Sequence, residues 1–394
     1  MNIGFVSTWF ERGAAYVTRQ YVDALRNEHN VYVYARGGEQ YAKGNPDWDL
    51  PYVTWGLRLT GTDINFRHFK KWIIKNNIEV IFFNEQHEHD IVAVTKRYFP
   101  SIKMGSYIDY YTENTVQDFQ IYDFLICNTR RHYSVFSEHP QCYYVPWGTD
   151  IELFRPQQKE SDLLTFFHSA GMSKRKGTNI LVEAFIRGEL YRDSKLIIHS
   201  QLDVFQQFGY SPKVLKANNI EVIEKTVSAP GLYHLGDVYV YPTTLDGLGL
   251  TMYEALSCGL PVVTTDYPPM NEVVNKDVGY LVNVEKLYCR NDGYYWPVSL
   301  VSEDSLIEAM RFYVENQSMM ETFKNRARSY AEDKLDWKAR YQQINEIFLA
   351  SELLDIDVDL HIDRWKKYSR KNTARDIALG ILPDRVIHWI KSRM

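Results

Sequence analysis

Residues 246–263 read DGLGLTMYEALSCGLPVV, and this order predicts a ligand-facing loop, a helix and a buried strand in succession. Gly247 and Gly249 allow the backbone to approach a ligand closely, and Leu250 begins the predicted helix. The free N–H groups of a helix N-terminus carry roughly +0.5 of an elementary charge, which stabilises a diphosphate placed there. Glu254, predicted on the first helical turn, can accept two hydrogen bonds from a vicinal diol such as that of a ribose. The stretch therefore predicts a site for a nucleoside diphosphate.

The length and composition of the chain predict two globular domains. Its 394 residues exceed the usual single-domain size, and 45% hydrophobic with 24% charged residues is an ordinary globular composition. No apolar leader follows Met1 and no run reaches about 18 apolar residues, which predicts a protein that is neither secreted nor membrane-spanning. The cysteines are far apart in sequence and form no CxxC pattern, so we expect reduced thiols in the cytoplasm rather than a zinc site or a disulfide framework. They are Cys127, Cys142, Cys258 and Cys289.

The net charge of −5 is unevenly distributed. Residues 364–394 contain nine Lys or Arg and two Asp, which leaves an acidic body with a basic tail. Apolar residues such as Trp365, Ile377 and Trp389 alternate with these cations, as in helices that lie on anionic membranes. A terminal helix that packs on the N-terminal domain needs the same apolar residues, so both interpretations stay open. We therefore expect a cytoplasmic protein whose tail allows peripheral contact with the inner face of a membrane.

Apolar runs along the chain predict two α/β sheets of the doubly wound, Rossmann-like kind, with ligands at the carboxyl ends of their strands. The first set of predicted strands covers residues 2–7, 31–35, 79–83, 103–108, 124–128 and 143–146, with helices at 14–26 and 66–76. The second set covers residues 164–169, 195–199, 220–224, 238–241, 261–264 and 280–282. We assign residues 1–150 to an N-terminal, acceptor-side domain and 151–162 to a linker. Residues 163–345 form a nucleotide-sugar-binding domain in this scheme, and 346–394 the last helices and the tail.

Residues 246–254 resemble the acidic-x7-Glu signature of retaining, family-4-type glycosyltransferases of the GT-B fold, with Asp246 and Glu254 as the two acids. The following run, Glu-Ala-x-x-x-Gly-x-Pro-Val-Val, is reproduced as well, and residues 145–156 resemble the family's interdomain linker with Trp147 in place of Asn. The resemblance implies two Rossmann-like domains facing a central cleft, with the last helices crossing back to the N-terminal domain. It also implies retaining, metal-independent transfer of a sugar from a nucleotide-diphosphate donor, a UDP-sugar on family frequency, to a hydroxyl of a glycan or glycolipid.

A second loop that resembles the family, at residues 169–178, is rich in cations. Residues 169–178 read SAGMSKRKGT, and Lys176 corresponds to the family's lysine that holds the diphosphate. The family has an arginine where this chain has Met172, and Arg175 or Lys174 is a candidate to replace that charge. A solvated run of charges is the alternative interpretation. The amides of Gly249 and Leu250, next to Leu248, complete the expected donor pocket.

The remaining site candidates follow other strands. Gly13 occupies the place of the family's glycine-rich loop, and Lys225 with Thr226 occupies the loop that borders the base. Asp109 stands where the family commonly has a histidine, and we expect it to accept a hydrogen bond from a hydroxyl or to act as a base.

Glu85 and His87 follow the predicted strand at residues 79–83, and both are candidates for the acceptor side. His87 and His89 have a spacing that can bind a metal, but no third ligand is evident, and we expect no metal or other cofactor. The Asp355, Asp357 and Asp359 pattern is interpreted as a solvated face or as an intrachain partner of cations.

Two alternatives come from departures from the family pattern. Asp246, Met172 and Asp109 each replace a family residue, which leaves open a non-catalytic protein that binds nucleotide sugars or glycans. A GT-B sugar-nucleotide epimerase is the other alternative. A GT-B phosphorylase needs a lysine that binds pyridoxal phosphate, and no feature of the sequence positions one. The sequence contains no motif that predicts a nucleic-acid partner.

Overall fold

The computed structural model describes residues 1–38, 40–59, 61–203 and 209–359. The chain divides into two compact units. The first contains Met1–Asn128, His132–Val145 and the segment that begins at Arg340, and the second contains Thr129–Arg131 and Pro146–Ala339. The basic tail at 364–394 lies outside the described residues, so its contact with a membrane stays a prediction.

The sheet of the first unit has seven parallel strands in the order β3-β2-β1-β4-β5-β6-β7. The strands are β1 Asn2–Thr8, β2 Asn30–Arg36, β3 Val53–Trp55, β4 Val80–Phe83, β5 Lys103–Tyr107, β6 Phe124–Cys127 and β7 Cys142–Tyr144. The helices that follow these strands are α1 Gly13–Leu25, α2 Phe66–Lys75, α3 Asp90–Tyr98 and α4 Arg130–Phe136. Every residue of β4 and β6 is buried, as expected for parallel strands covered on both faces.

The sheet of the second unit has six parallel strands in the order β10-β9-β8-β11-β12-β13. They are β8 Thr165–Gly171, β9 Lys195–Ser200, β10 Ile220–Glu224, β11 Val238–Tyr241, β12 Val262–Thr265 and β13 Gly279–Val282. An antiparallel pair, β14 Val284–Tyr288 and β15 Val298–Val301, follows. The helices are α5 Thr178–Arg187, α6 Pro212–Ala217, α7 Leu250–Ser257, α8 Met270–Val273, α9 Glu303–Glu315 and α10 Met320–Tyr330, and the chain continues to α11 Tyr341–Ala350.

Local sequence signals explain where several helices begin. The side chains of Asn65 and Ser302 accept hydrogen bonds from backbone N–H groups in the first turns of α2 and α9. Ser211 caps α6 in the same way, and Pro212 then occupies the first helical position. Such residues satisfy N–H groups that have no partner within the helix.

Helix α11 completes the core of the first unit. The Phe348 ring is buried against Phe82 and Phe124, with ring centroids 5.3 and 5.2 Å away, and Phe5 lies at 6.4 Å. The Lys103 ammonium donates to the carbonyls of Phe348 and Ser351 at 2.7 and 2.9 Å. Four central strands of the sheet, β1, β4, β5 and β6, are therefore joined to the end of α11 by both apolar and polar contacts.

The predicted architecture, two parallel α/β sheets of the Rossmann-like kind, is confirmed. Among the described strands, β3 and the β14–β15 pair were not predicted, and neither were the bounds of helices α3 and α4. The cysteines, although far apart in sequence, include one close pair, because the Cys127 and Cys142 sulfurs lie 3.7 Å apart as free thiols on neighbouring strands. In the described part of the chain, no helix combines the length and apolar character needed to span a bilayer.

Candidate functional site

The carboxyl ends of β8 and β11 bring two distant loops of the second unit together. These strands are neighbours in the sheet, and each is followed by one of the loops singled out in the sequence. The Arg175 carbonyl accepts hydrogen bonds from the Thr244 N–H at 2.8 Å and from the Thr243 hydroxyl at 3.1 Å. The cationic turn Lys174–Lys176 is thus bonded to the loop that contains Asp246.

Lys176, Asp246 and Tyr241 form a bonded cluster between these loops. The Lys176 ammonium donates to the Asp246 carboxylate and to the Tyr241 hydroxyl, and that hydroxyl donates to the same carboxylate oxygen. The other carboxylate oxygen accepts the Gly247 N–H at 2.9 Å. The Lys176 and Asp246 side chains retain 20% and 17% of their exposure, so the ion pair is largely but not wholly withdrawn from solvent.

This environment keeps Asp246 ionised. Burial alone would raise the pKa of Asp246, but the charge and hydrogen bond of Lys176, with the Tyr241 hydroxyl and the Gly249 amide, lower it to about 2. Burial raises the pKa of Tyr241 far above its ordinary value, so the phenol stays protonated and donates. A fixed negative charge therefore lies on the loop predicted to bind a diphosphate.

Helix α7 begins as predicted at Leu250, directly after Gly249, whose φ of +74° suits glycine. Glu254 is the fifth residue of this helix and lies on its second turn, not on the first as predicted, because 3.6 residues complete a turn. Its carboxylate accepts a hydrogen bond from the Tyr233 hydroxyl. Burial raises the pKa of Glu254, and Tyr233 and Lys176 oppose that effect. The side chain is partly exposed, as contact with a ligand requires.

The tyrosines beneath this candidate site are partners of its acidic residues that sequence reasoning missed. Tyr239 lies 5.7 Å from both Tyr233 and Tyr241 between ring centroids, and all three are buried. Alternate positions of a strand face the same side, so the YVY pattern at the end of β11 is a signal that could have paired Tyr239 with Tyr241. The hydroxyls of Tyr233 and Tyr241 hold the two acidic residues singled out in the sequence.

Below the cationic turn lies His168, which is fully buried. Its Nδ1–H donates to the Val240 carbonyl at 2.8 Å, and its Nε2 accepts from the Thr178 hydroxyl at 2.9 Å. Burial lowers the pKa of His168 to about 4, against the opposing effect of the Val240 carbonyl. The imidazole is therefore neutral, and it ties β8 to β11 and to the start of α5.

The other donor-side candidates also follow parallel strands of the second unit, at the same edge of its sheet. Lys225 and Thr226 directly follow β10 and are exposed. The Lys225 backbone N–H donates to the Ser200 carbonyl at 3.1 Å. The Lys225 carbonyl accepts a hydrogen bond from His199 Nε2 at 2.9 Å. Arg175 is exposed on the same turn as Lys176, and Leu248 is buried.

In the first unit, four candidates lie at the carboxyl ends of the adjacent strands β1, β4 and β5. Gly13 is the exposed first residue of α1, and Asp109 lies two residues beyond β5 and is partly exposed. Glu85 has a φ of +51° and binds the Arg12 guanidinium at 3.2 Å. The exposed His87 ring packs 4.9 Å from Tyr110. Backbone strain at a residue such as Glu85 is common at functional sites.

Glu88 is a further acidic residue at this edge that the sequence did not single out. Its Oε2 atom is buried and has no hydrogen-bond partner among the described residues. Burial, followed by the nearby charge of Asp63, raises the pKa of Glu88 to about 7. No feature of the HEHD run distinguishes this carboxyl from a solvated one, because its burial depends on the packing of other segments.

The metal interpretation gains no support from the described residues, which contain no group of three His, Cys, Asp or Glu side chains placed to hold an ion. His89 is buried, and its Nδ1 lies 3.1 Å from the Tyr122 hydroxyl. Asp359 pairs with Arg97 and Asp357 accepts the Asp359 N–H at 3.0 Å, so the acidic run makes contacts within the chain.

Comparison with known proteins finds a family match that falls within the second unit. Residues 150–330 match the family model described as Glycosyl transferases group 1. A UDP-N-acetylglucosamine–peptide N-acetylglucosaminyltransferase GtfA subunit of Streptococcus pneumoniae serotype 4 is 24% identical over 311 residues, covering 73% of this chain and 54% of the relative. The chain thus spans about half the length of that relative.

Two solved structures share the fold. Anabaena Alr3699/HepE in complex with UDP and glucose matches with a TM-score of 0.67 and 17% identity, over 89% of this chain and 100% of the other. The pneumococcal O-GlcNAc transferase GtfA in complex with UDP and GlcNAc matches with a TM-score of 0.65 and 12% identity, over 88% and 99%. The GT-B fold predicted from the sequence is confirmed by these matches.

Proposed function

We propose that this chain, whose second unit is a group 1 glycosyltransferase domain, moves a sugar from a UDP-sugar to a hydroxyl of a glycan or glycolipid, with retention at the anomeric carbon and without a metal. The observation that carries the proposal is the convergence of Lys176, the α7 N-terminus and Glu254 at the carboxyl ends of β8 and β11. A diphosphate needs positive charge and N–H donors, and a ribose needs a diol acceptor; these groups supply both.

The proposed reaction breaks the bond between the anomeric carbon and the β-phosphate oxygen, and the electron pair stays on that oxygen. The acceptor hydroxyl oxygen bonds to the anomeric carbon, and its proton passes to the departing phosphate. Charge that develops on the phosphate is stabilised by the Lys176 ammonium and by the amides of Gly249 and Leu250. Donors held in place before the reaction stabilise such charge without the cost of reorganisation. Arg175, exposed on the same turn, is the second cation that we propose to bind the phosphate.

The proposal is tested by release of UDP from UDP-glucose, UDP-galactose and UDP-N-acetylglucosamine, with and without glycan, glycolipid and peptide acceptors. A peptide is included because the pneumococcal relative is described as acting on one. Lys176→Ala is expected to lose about a hundredfold or more in rate, the usual effect of removing one donor to a developing oxyanion. Glu254→Ala is expected to weaken donor binding. Lys195→Ala is the control, because Lys195 is a cation of the same unit that lies at the amino end of β9, opposite the strand ends that hold the candidate site, and pairs with Glu221.

Two results would contradict the proposal. Turnover at the wild-type rate in both Lys176→Ala and Glu254→Ala would remove the site assignment. If a UDP-sugar binds tightly but UDP is released neither with an acceptor nor by hydrolysis in its absence, the alternative of a non-catalytic binding protein is favoured. The stereochemistry is read from the anomeric proton of the product by NMR.

A further inference from the structure

One anion already lies among the donors of the candidate diphosphate site. The Asp246 carboxylate accepts from the Lys176 ammonium and the Tyr241 hydroxyl on one oxygen and from the Gly247 amide on the other. These are the kinds of donor that a phosphate oxygen would use, and Lys176 is the cation expected to bind it. The carboxylate and a terminal phosphate therefore have the same partner.

We propose that Asp246 is an internal counter-ion that competes with the terminal phosphate of a nucleoside diphosphate for Lys176, and thereby sets the affinity and selectivity of the site. The inference rests on the proposed function, since it takes a nucleoside diphosphate as the ligand. It goes further by giving Asp246 and Tyr241 a role in binding that opposes the ligand rather than attracting it.

The competition follows from charge and burial. Lys176 and Asp246 are both mostly buried, so their attraction is screened less than that of a surface pair. A phosphate that approaches Lys176 also approaches the carboxylate, and like charges at short range repel. The ligand must therefore weaken an existing ion pair before it gains the ammonium, which lowers its apparent affinity.

Tyr241 strengthens the competitor. Its hydroxyl accepts from Lys176 and donates to Asp246, so one group bridges both members of the pair. The ring is fully buried beneath the loop and is stacked on Tyr239. The bridge is thus fixed by packing and does not depend on a mobile side chain.

The same geometry predicts selectivity between nucleotides. Only a ligand with a second phosphate is expected to reach Lys176, whereas UMP ends one phosphate earlier. Loss of the Asp246 charge should therefore change the affinity for UDP and leave that for UMP almost unaltered. If Asp246 had only a structural role, its loss would damage the loop and weaken the binding of both UDP and UMP.

The experiment measures UDP and UMP binding to the full chain by isothermal titration calorimetry. Asp246→Asn keeps the shape and an acceptor oxygen but removes the charge. UDP is expected to bind about tenfold more tightly, about 1.4 kcal/mol, with UMP changed by less than about twofold. Tyr241→Phe, which keeps the ring and the acid but removes the bridge, should shift UDP in the same direction by a smaller factor, and it serves if Asp246→Asn does not fold.

Two controls make the test specific. Glu303→Gln removes one negative charge from the same unit, where Glu303 pairs with Arg187 on the surface, and should leave UDP affinity unchanged. In a Lys176→Met background, Asp246→Asn should tighten UDP binding by a clearly smaller factor, because only the direct repulsion between carboxylate and phosphate is then relieved. If the wild-type chain binds UDP and both Asp246→Asn and Tyr241→Phe bind it equally or more weakly, this inference is overturned and the proposed function stands. No saturable binding of UDP, GDP or ADP by the wild-type chain overturns the proposed function and the inference with it.

Discussion

Gly177→Ala is expected to destabilise the second unit by a predictable amount. Gly177 has a φ of +77° and separates Lys176 from α5. A Cβ atom there would lie 2.1 Å from the Pro242 carbonyl oxygen and 2.8 Å from its carbon, and neither is the end of a flexible side chain. The left-handed backbone costs a non-glycine residue about 1–2 kcal/mol. Displacing a packed backbone adds about 1–3 kcal/mol, so we expect about 2–5 kcal/mol in all.

Gly171→Ala separates the two contributions. Gly171 also has a positive φ, +55°, but its Cβ would meet no atom within 4 Å. Its substitution should therefore cost only the backbone term, about 1–2 kcal/mol. The free energy of unfolding is followed by hydrogen exchange of peptides from β8 and α5 across a urea series, which reports on the second unit alone. Equal losses in the two variants would show that Pro242 yields freely, and the steric reasoning would be wrong.

Two further predictions concern buried side chains. Phe348→Ala should cost about 3–5 kcal/mol, the usual loss for a buried ring, measured by urea unfolding, whereas Leu349→Ala at a position 53% exposed should change little; similar costs would refute the assigned packing. The depressed pKa of His168 means that, as the pH falls from about 6.5 to about 4, the unfolded chain takes up a proton that the folded chain does not. Stability should therefore fall by about 3 kcal/mol over that range, and His168→Gln should remove this part of the slope; parallel pH profiles would contradict the prediction.

The sheets were predictable because their strands are short apolar runs between turn residues. Val80–Phe83 and Phe124–Cys127 are completely buried, and such runs keep their signal whatever their neighbours are. Strand β3 has only three residues, too few for a period to show. In the β14–β15 pair, Leu287 and Tyr288 are exposed, so the apolar pattern that indicates a buried strand is lost.

The candidate site was predictable in part. Glycines, cations and the acid-to-acid spacing are local signals, and the structure brings Lys176 and Asp246 into contact, while their binding of a donor stays a prediction. The partners of these groups were not accessible to sequence reasoning. A tyrosine hydroxyl has no preferred partner in the sequence, so only packing shows that Tyr233 bonds Glu254 and Tyr241 bonds Asp246.

The placement of α11 has a consequence for synthesis on the ribosome. The first unit begins at Met1 but receives Phe348 only after all of Pro146–Ala339 has been translated. Until then the face formed by Phe5, Phe82 and Phe124 lacks its covering ring, and a nascent apolar surface of this kind is open to chaperones and to aggregation. The second unit, contiguous apart from three residues, is complete earlier. Maturation is thus expected to run against chain order, with the later-encoded unit finished first.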